Sequence, residues 1–154
     1  MDSSSISWKW VVVGAGIIIA LNQVMIAALK DPILATLTVD DAGVASFGAM
    51  FWVYLGVIAV VSYMVGGFLT GWFSPGETVR EPAMASALAV LVNLIGDYAQ
   101  QSQYDGFTFG RWFIGAAIML VIGFFLGMAG GWLGERAQGD TTEKMRERGE
   151  LPPT

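Results

Sequence analysis

Apolar positions run almost unbroken through four stretches of the chain, and the charged positions fall between them. Residues 10–29, 42–73, 83–96 and 112–133 contain no Asp, Glu, Lys or Arg. Three of these runs reach or pass the roughly 20 residues that an α-helix needs to cross a hydrocarbon layer of about 30 Å. The third run is short alone. Pro82 suits an early helical position, where its missing N–H would have no helical partner, and this carries the segment on to residue 101. The pattern predicts four helices, over residues 8–29, 46–73, 82–101 and 109–134. In hydrocarbon each unpaired backbone N–H or C=O costs several kcal/mol, so helices are the natural form. A β-barrel would need an alternation of polar and apolar positions that residues 56–61 lack. The expected fold class is all-α, an integral membrane four-helix bundle over residues 1–134 with a charged cytoplasmic tail at 135–154.

The punctuation between helices supports this reading. Ser74-Pro75-Gly76 ends the second helix: Pro75 cannot continue the hydrogen-bond ladder, and Gly76 tolerates φ > 0. Thr78 and Glu81 have capping-box spacing, and Pro82 fixes the return, so the second and third helices form an antiparallel hairpin. All six tryptophans fall near predicted helix ends, and Trp52/Trp72 and Trp112/Trp132 are each 20 positions apart. At 1.5 Å per residue that is about 30 Å, the spacing of two interfacial aromatic belts. Residues 30–45 form a longer connection with Pro32 and the apolar stretch 33–37, expected to lie along the membrane or cover the mouth of the bundle. In the tail, Asp140 and Glu143 have cap spacing ahead of a short charged helix that Gly149 stops.

A shift of 60 residues superposes Phe47 on Phe107, Trp52 on Trp112, Ile58 on Ile118, Gly67 on Gly127 and Gly71 on Gly131. Asn22 and Asn93 occupy similar depths in the first and third helices. The expectation is two tandem helical hairpins, 1–2 and 3–4, related by a pseudo-twofold along the membrane normal. Small residues line one side of each helix. Gly123, Gly127 and Gly131 form a stripe on the fourth, with Gly130 and Gly134 beside it, and Gly67 and Gly71 recur on the second. Gly16 and Ala20 on the first, and Ser86, Ala89, Asn93 and Gly96 on the third, complete the set. Helices in lipid associate through close contact at such positions, so these are candidate packing or oligomer faces.

Composition sharpens the class. The chain has 154 residues, 14% of them charged, against roughly 25% in a soluble domain. With an even number of spans the termini share a side, which holds Lys9, Arg80, Arg136, Lys144, Arg146 and Arg148, six of the eight positive charges. The positive-inside rule places both termini in the cytoplasm of a bacterial-type inner membrane. A single early lysine, a long apolar segment and no clear small-x-small site mark the first helix as an uncleaved span rather than a signal peptide.

The chain contains no Cys and no His, which removes thiolate and imidazole metal sites, histidine-ligated haem, disulfides and Cys or His catalysis. No charge lies in the middle of a span, so the carboxylate of a proton-coupled pump is missing. Asn22, Gln23, Asn93 and Ser62 are the strong polar groups at depth, read as interhelical hydrogen-bonding residues or the lining of a polar path. Asp97 with Tyr98 and Arg111 is read as an end-of-helix ion pair, and Glu77, Arg80 and Glu81 as capping and solvation.

The run Gly66-Gly67, Gly71, Ser74-Pro75-Gly76, Glu81-Pro82-Ala83 resembles a turn in small uncharacterised multi-span bacterial membrane proteins, and implies a membrane fold without an activity. Residues 89–96, with Asn93, are similar to the asparagine-bearing helix of four-span fluoride channels. Here the motif lies on the third helix rather than the second, and the Thr-rich phenylalanine motif and early arginine are absent. The expected role is a non-enzymatic structural or accessory subunit, packing through its glycine faces against itself or a larger membrane complex. Membrane lipid and other membrane subunits are its expected partners, with no cofactor, no metal and no nucleic acid. The alternative is an oligomeric channel or transporter for a small solute, lined by Asn22 and Asn93; a pore-forming lysis protein of phage type is a third reading.

Overall fold

A computed structural model describes residues 6–39, 41, 45–74, 79–103 and 107–138. Four long helical rods dominate it: α1 (Trp8–Ala28), a rod made of α3 (Ala49–Val60) and α4 (Gly66–Phe73), α5 (Arg80–Gln101) and α6 (Phe109–Gln138). All four are long and apolar enough to cross a membrane. A π-helical turn at Val61–Val65 joins α3 to α4 without breaking the rod. No proline marks that turn, and the sequence reads there as uninterrupted helix.

The connection after α1 is more ordered than the sequence implies. A five-residue helix, α2 (Lys30–Leu34), contains Pro32 as its third residue, where no helical N–H is required. An antiparallel hairpin follows, β1 (Leu37–Val39) with β2 (Ala45–Phe47), in the register Leu37↔Phe47, Thr38↔Ser46, Val39↔Ala45. Thr38 Oγ1 donates to the Ser46 carbonyl at 3.2 Å, and Gly48 N to the Thr36 carbonyl at 3.0 Å. Pairing of residues 45–47 into this hairpin is why the second rod starts at Ala49 rather than residue 46. The predicted turn residues Pro75 and Gly76, and the tail signals Asp140 and Glu143, lie outside the described residues.

The rods meet where side chains are smallest. A Cβ on Gly67 would come within 2.5 Å of the Gly127 carbonyl oxygen, and one on Gly71 within 2.5 Å of the Gly131 oxygen. Reciprocally, Cβ atoms on Gly130 and Gly134 would collide with the carbonyls of Met64 and Phe68. These four contacts fall into two sets that a single shift exchanges. Adding 63 to Gly67, Gly71, Met64 and Phe68 gives Gly130, Gly134, Gly127 and Gly131. The two helices therefore pack in parallel about a local twofold, backbone against backbone.

A second glycine face of α6 turns to α5. Cβ atoms at Gly123, Gly127 and Gly131 would strike Val90, Ser86 and Pro82 respectively. On α1 the packed face is Val11, Gly14, Ala15 and Ile18. Gly14 seats against Thr70 and Ala85, and Ile18 fills the space left by Gly66. Gly16 and Gly96 have nothing within 4 Å of a Cβ position, and Ala20 is exposed, so these do not serve the bundle interior.

The order of packing differs from the expected hairpin symmetry. α1 packs on α5 and α4 on α6, whereas α1 and α6 have no substantial contact. A twofold exchanging hairpins 1–2 and 3–4 would place α1 opposite α5 and the second rod opposite α6, with comparable contacts along the sides. The rods instead form a rhombus with α4 and α5 on its short diagonal. The repeat signal at a shift of 60 and the packing twofold at a shift of 63 are therefore different relations.

Apolar side chains face outward over most of this surface. No more than 33% of any rod's most apolar window is buried. Burial concentrates toward the end where α5 begins, in Ala15, Ile18, Tyr63, Ala85, Ala89 and Val90. At the other end Trp52, Val53, Leu91, Ile95, Phe113 and Ile114 are exposed. Gly130→Ile should lower stability by about 1–3 kcal/mol or more, because backbone leaves no room to repack. Gly16→Ile should leave it unchanged; both are measured by reversible unfolding in mild detergent.

Candidate functional site

Among the described residues, Glu81 is the buried carboxyl that the bundle closes around. It is 2% exposed, and it lies in the first turn of α5. Its Oε1 accepts the Ser7 backbone N–H at 2.6 Å, and its Oε2 accepts the Ser74 hydroxyl. Ser7 is the N-cap of α1 and Ser74 the C-cap of α4. Glu81 thus gives α1 what a glutamate at N3 gives its own helix in a capping box, an acceptor for the N-cap N–H. The N3 position of α1 is Trp10, which has no acceptor to offer. Thr78 of the expected Thr78–Glu81 box lies outside the described residues; α5 starts at Arg80 after Val79, without a side-chain cap, and the Glu81 carboxyl turns to two other rods. It is buried, not solvated. The positive ends of the α1 and α5 dipoles converge near it, a favourable setting for negative charge.

The same end carries two further ties. Gln138 Nε2 donates to the carbonyl of Trp72, one of the acceptors that the end of α4 leaves without a helical partner. The Arg136 guanidinium sits 5.3 Å from the Trp132 ring centroid. Pro82 lies beneath Gly131, and its carbonyl is 2.9 Å from the position of a Gly127 Cβ.

Polar groups also gather near mid-rod. Gly14 opposes Thr70 and Ala85, and eight residues further along each rod stand Asn22, Ser62 and Asn93. Asn93 is hydrogen-bonded to the buried Tyr63 hydroxyl. Ser62 Oγ and Ser86 Oγ are buried and have no hydrogen-bond partner among the described residues. Thr70 satisfies its own hydroxyl by donating to the Gly66 carbonyl at 2.8 Å. Asn22 is half-buried on the same level, and Gln23 faces outward. Tyr63 escapes a sequence reading, although a phenol deep in an uncharged run is the available signal.

At the opposite end, α5 and α6 part to leave a groove of about 440 Å³. Asp97 and Gln101 of α5, Thr108 just before α6, and Arg111 and Trp112 of α6 line its upper part; Leu94, Gly115, Ala116 and Met119 line its floor. Asp97 and Arg111 share the groove, yet among the described residues neither forms an ion pair, contrary to the expected end-of-helix bridge. Tyr98 instead packs into an aromatic cluster, 5.1 Å from Trp112 and 5.7 Å from Phe107 between centroids.

Comparison with protein families, curated proteins and solved structures yields no match. The functional reading therefore stands on these three features. Among the described residues, no group of three or more acidic side chains is placed to hold a metal ion.

Two substitutions separate the Glu81 tie from general packing. Glu81→Ala strands the Ser7 N–H and should cost about 1–3 kcal/mol for that unpaired donor. Glu81→Gln keeps an acceptor and should cost less. Thermal unfolding of the detergent-solubilised chain gives the ranking.

Proposed function

We propose that the chain is an integral membrane protein whose four rods cross a bacterial-type inner membrane, with both termini in the cytoplasm. It acts there as a small structural or accessory subunit of a membrane complex. The observation that carries this reading is the outward-facing apolar surface of four rods long enough to span. Contiguous apolar patches of more than a few hundred Å² are rare on soluble monomers, and lipid is the solvent that suits such a surface. Trp52 and Trp72, 20 residues apart on the second rod, are both exposed, as an aromatic belt requires. Lys9, Arg80 and Arg136 lie at the Glu81 end, which supports a cytoplasmic assignment for it.

The glycine faces bear on how a partner would attach. Gly67, Gly71, Gly123, Gly127 and Gly131 are consumed inside the chain. A neighbouring helix would therefore seat on the exterior, where Gly16 and Ala20 of α1 leave room for close approach. Self-association and attachment to a larger complex both use that surface.

One observation favours a second reading, a conduit for a small solute. A buried hydroxyl without a partner among the described residues is costly, and Ser62 is one, at the Asn22–Asn93 level. Reporter fusions after Asp2 and after Thr154 should both report the cytoplasm, and one on each side would overturn the topology. Cross-linking in native membranes should trap a defined complex through Gly16→Cys. Solute flux by the purified chain in liposomes, with no cross-linked partner, would favour the conduit.

A further inference from the structure

The groove between the far ends of α5 and α6 combines two opposite charges with a graded wall, and no role has yet been given to it. Arg111 stands in the first turn of α6 and Asp97 one turn before the end of α5. From Arg111 to Met119 the α6 wall descends eight residues, about 12 Å, from charged to wholly apolar. Gly115 supplies no side chain at mid-depth, and a Cβ there would meet nothing within 4 Å. The groove is thus open from its charged rim to its apolar floor.

Both charges lack a protein partner among the described residues, although they line one cavity. At the edge of hydrocarbon an uncompensated charge is expensive, and a pair of opposite ones in one groove is neutralised by a ligand carrying both signs. We infer that this groove seats a zwitterionic phospholipid of the outer leaflet. Its phosphate pairs with Arg111, its ammonium with Asp97 beside the Phe107 and Trp112 rings, and its glycerol and first acyl segment run down past Gly115 to Met119. A guanidinium binds phosphate oxygens through paired N–H donors, and aromatic faces attract ammonium groups. Phosphatidylglycerol would pair with Arg111 through the same phosphate but offer Asp97 no cation. A soluble phosphoethanolamine would leave the apolar floor unfilled. The shape of the groove commits it to the lipid.

This inference rests on the membrane placement proposed above, and the test separates the two. The full chain is reconstituted into vesicles containing equal dioleoyl phosphatidylethanolamine and dioleoyl phosphatidylglycerol, extracted in mild detergent, and examined for retained lipid by native mass spectrometry. Failure to enter the vesicles overturns the membrane placement itself. For a chain that enters them, retention of phosphatidylethanolamine should exceed that of phosphatidylglycerol about tenfold, the scale of one charge-assisted contact. Asp97→Asn should erase that preference, and Arg111→Gln should reduce retention of both lipids. Gly115→Leu, at a position with free space, should block the floor and release the lipid without unfolding the bundle. Equal retention of the two lipids by the unaltered chain, or an unchanged preference in Asp97→Asn, overturns the groove assignment. Binding of free phosphoethanolamine as tight as that of the lipid, with Gly115→Leu unaffected, overturns the lipid as occupant.

Discussion

Backbone meets backbone between α4 and α6, and the rest of the bundle is arranged around that contact. Two pairs of glycines, Gly67/Gly71 and Gly130/Gly134, each place the Cα of one helix against a carbonyl of the other. Because the approach is reciprocal, the two helices cannot slide without opening both sides. Contact this close makes many dispersion interactions at once, which matters where apolar burial alone distinguishes poorly between helix and surroundings. Gly123, Gly127 and Gly131 repeat the device on another face of α6, so one helix organises two neighbours through two sets of glycines.

Glu81 provides what glycine cannot, directionality at one end. Its two oxygens hold the start of α1 and the end of α4 from the start of α5, so three rods converge on one carboxyl. Gln138 adds the fourth through the Trp72 carbonyl. At the far ends the helices part, exposing apolar side chains and opening the groove of Asp97 and Arg111. Tight closure at one end and divergence at the other are two sides of the same distribution of polar ties.

Much of this was legible in one dimension. Charge-free runs locate all four rods to within a few residues, because a helix of fixed rise must match a layer of fixed thickness. Glycine spacing likewise identifies the residues at which helices come close. Local pairing was less legible: the hairpin at residues 37–47 claims what reads as the first turn of a helix, and a π-turn sits in sequence with no breaker to announce it. Glu81 is less legible for a related reason, since its spacing from Thr78 fits a local cap while its partners Ser7 and Ser74 are 74 and 7 residues away.

The amino-acid order by itself determined the number of rods, their lengths, and the small residues available for close approach, since hydropathy and side-chain size act along the chain. Only the tertiary structure decided which small face meets which. Gly67 and Gly71 meet the carbonyls of Gly127 and Gly131, while Gly130 and Gly134 meet those of Met64 and Phe68, because the angle around a helix and not the count along it selects a contact. It also decided that Asp97 and Arg111 share a groove without closing it. Where two rods diverge depends on what holds their other ends together, and that is a property of the assembled bundle.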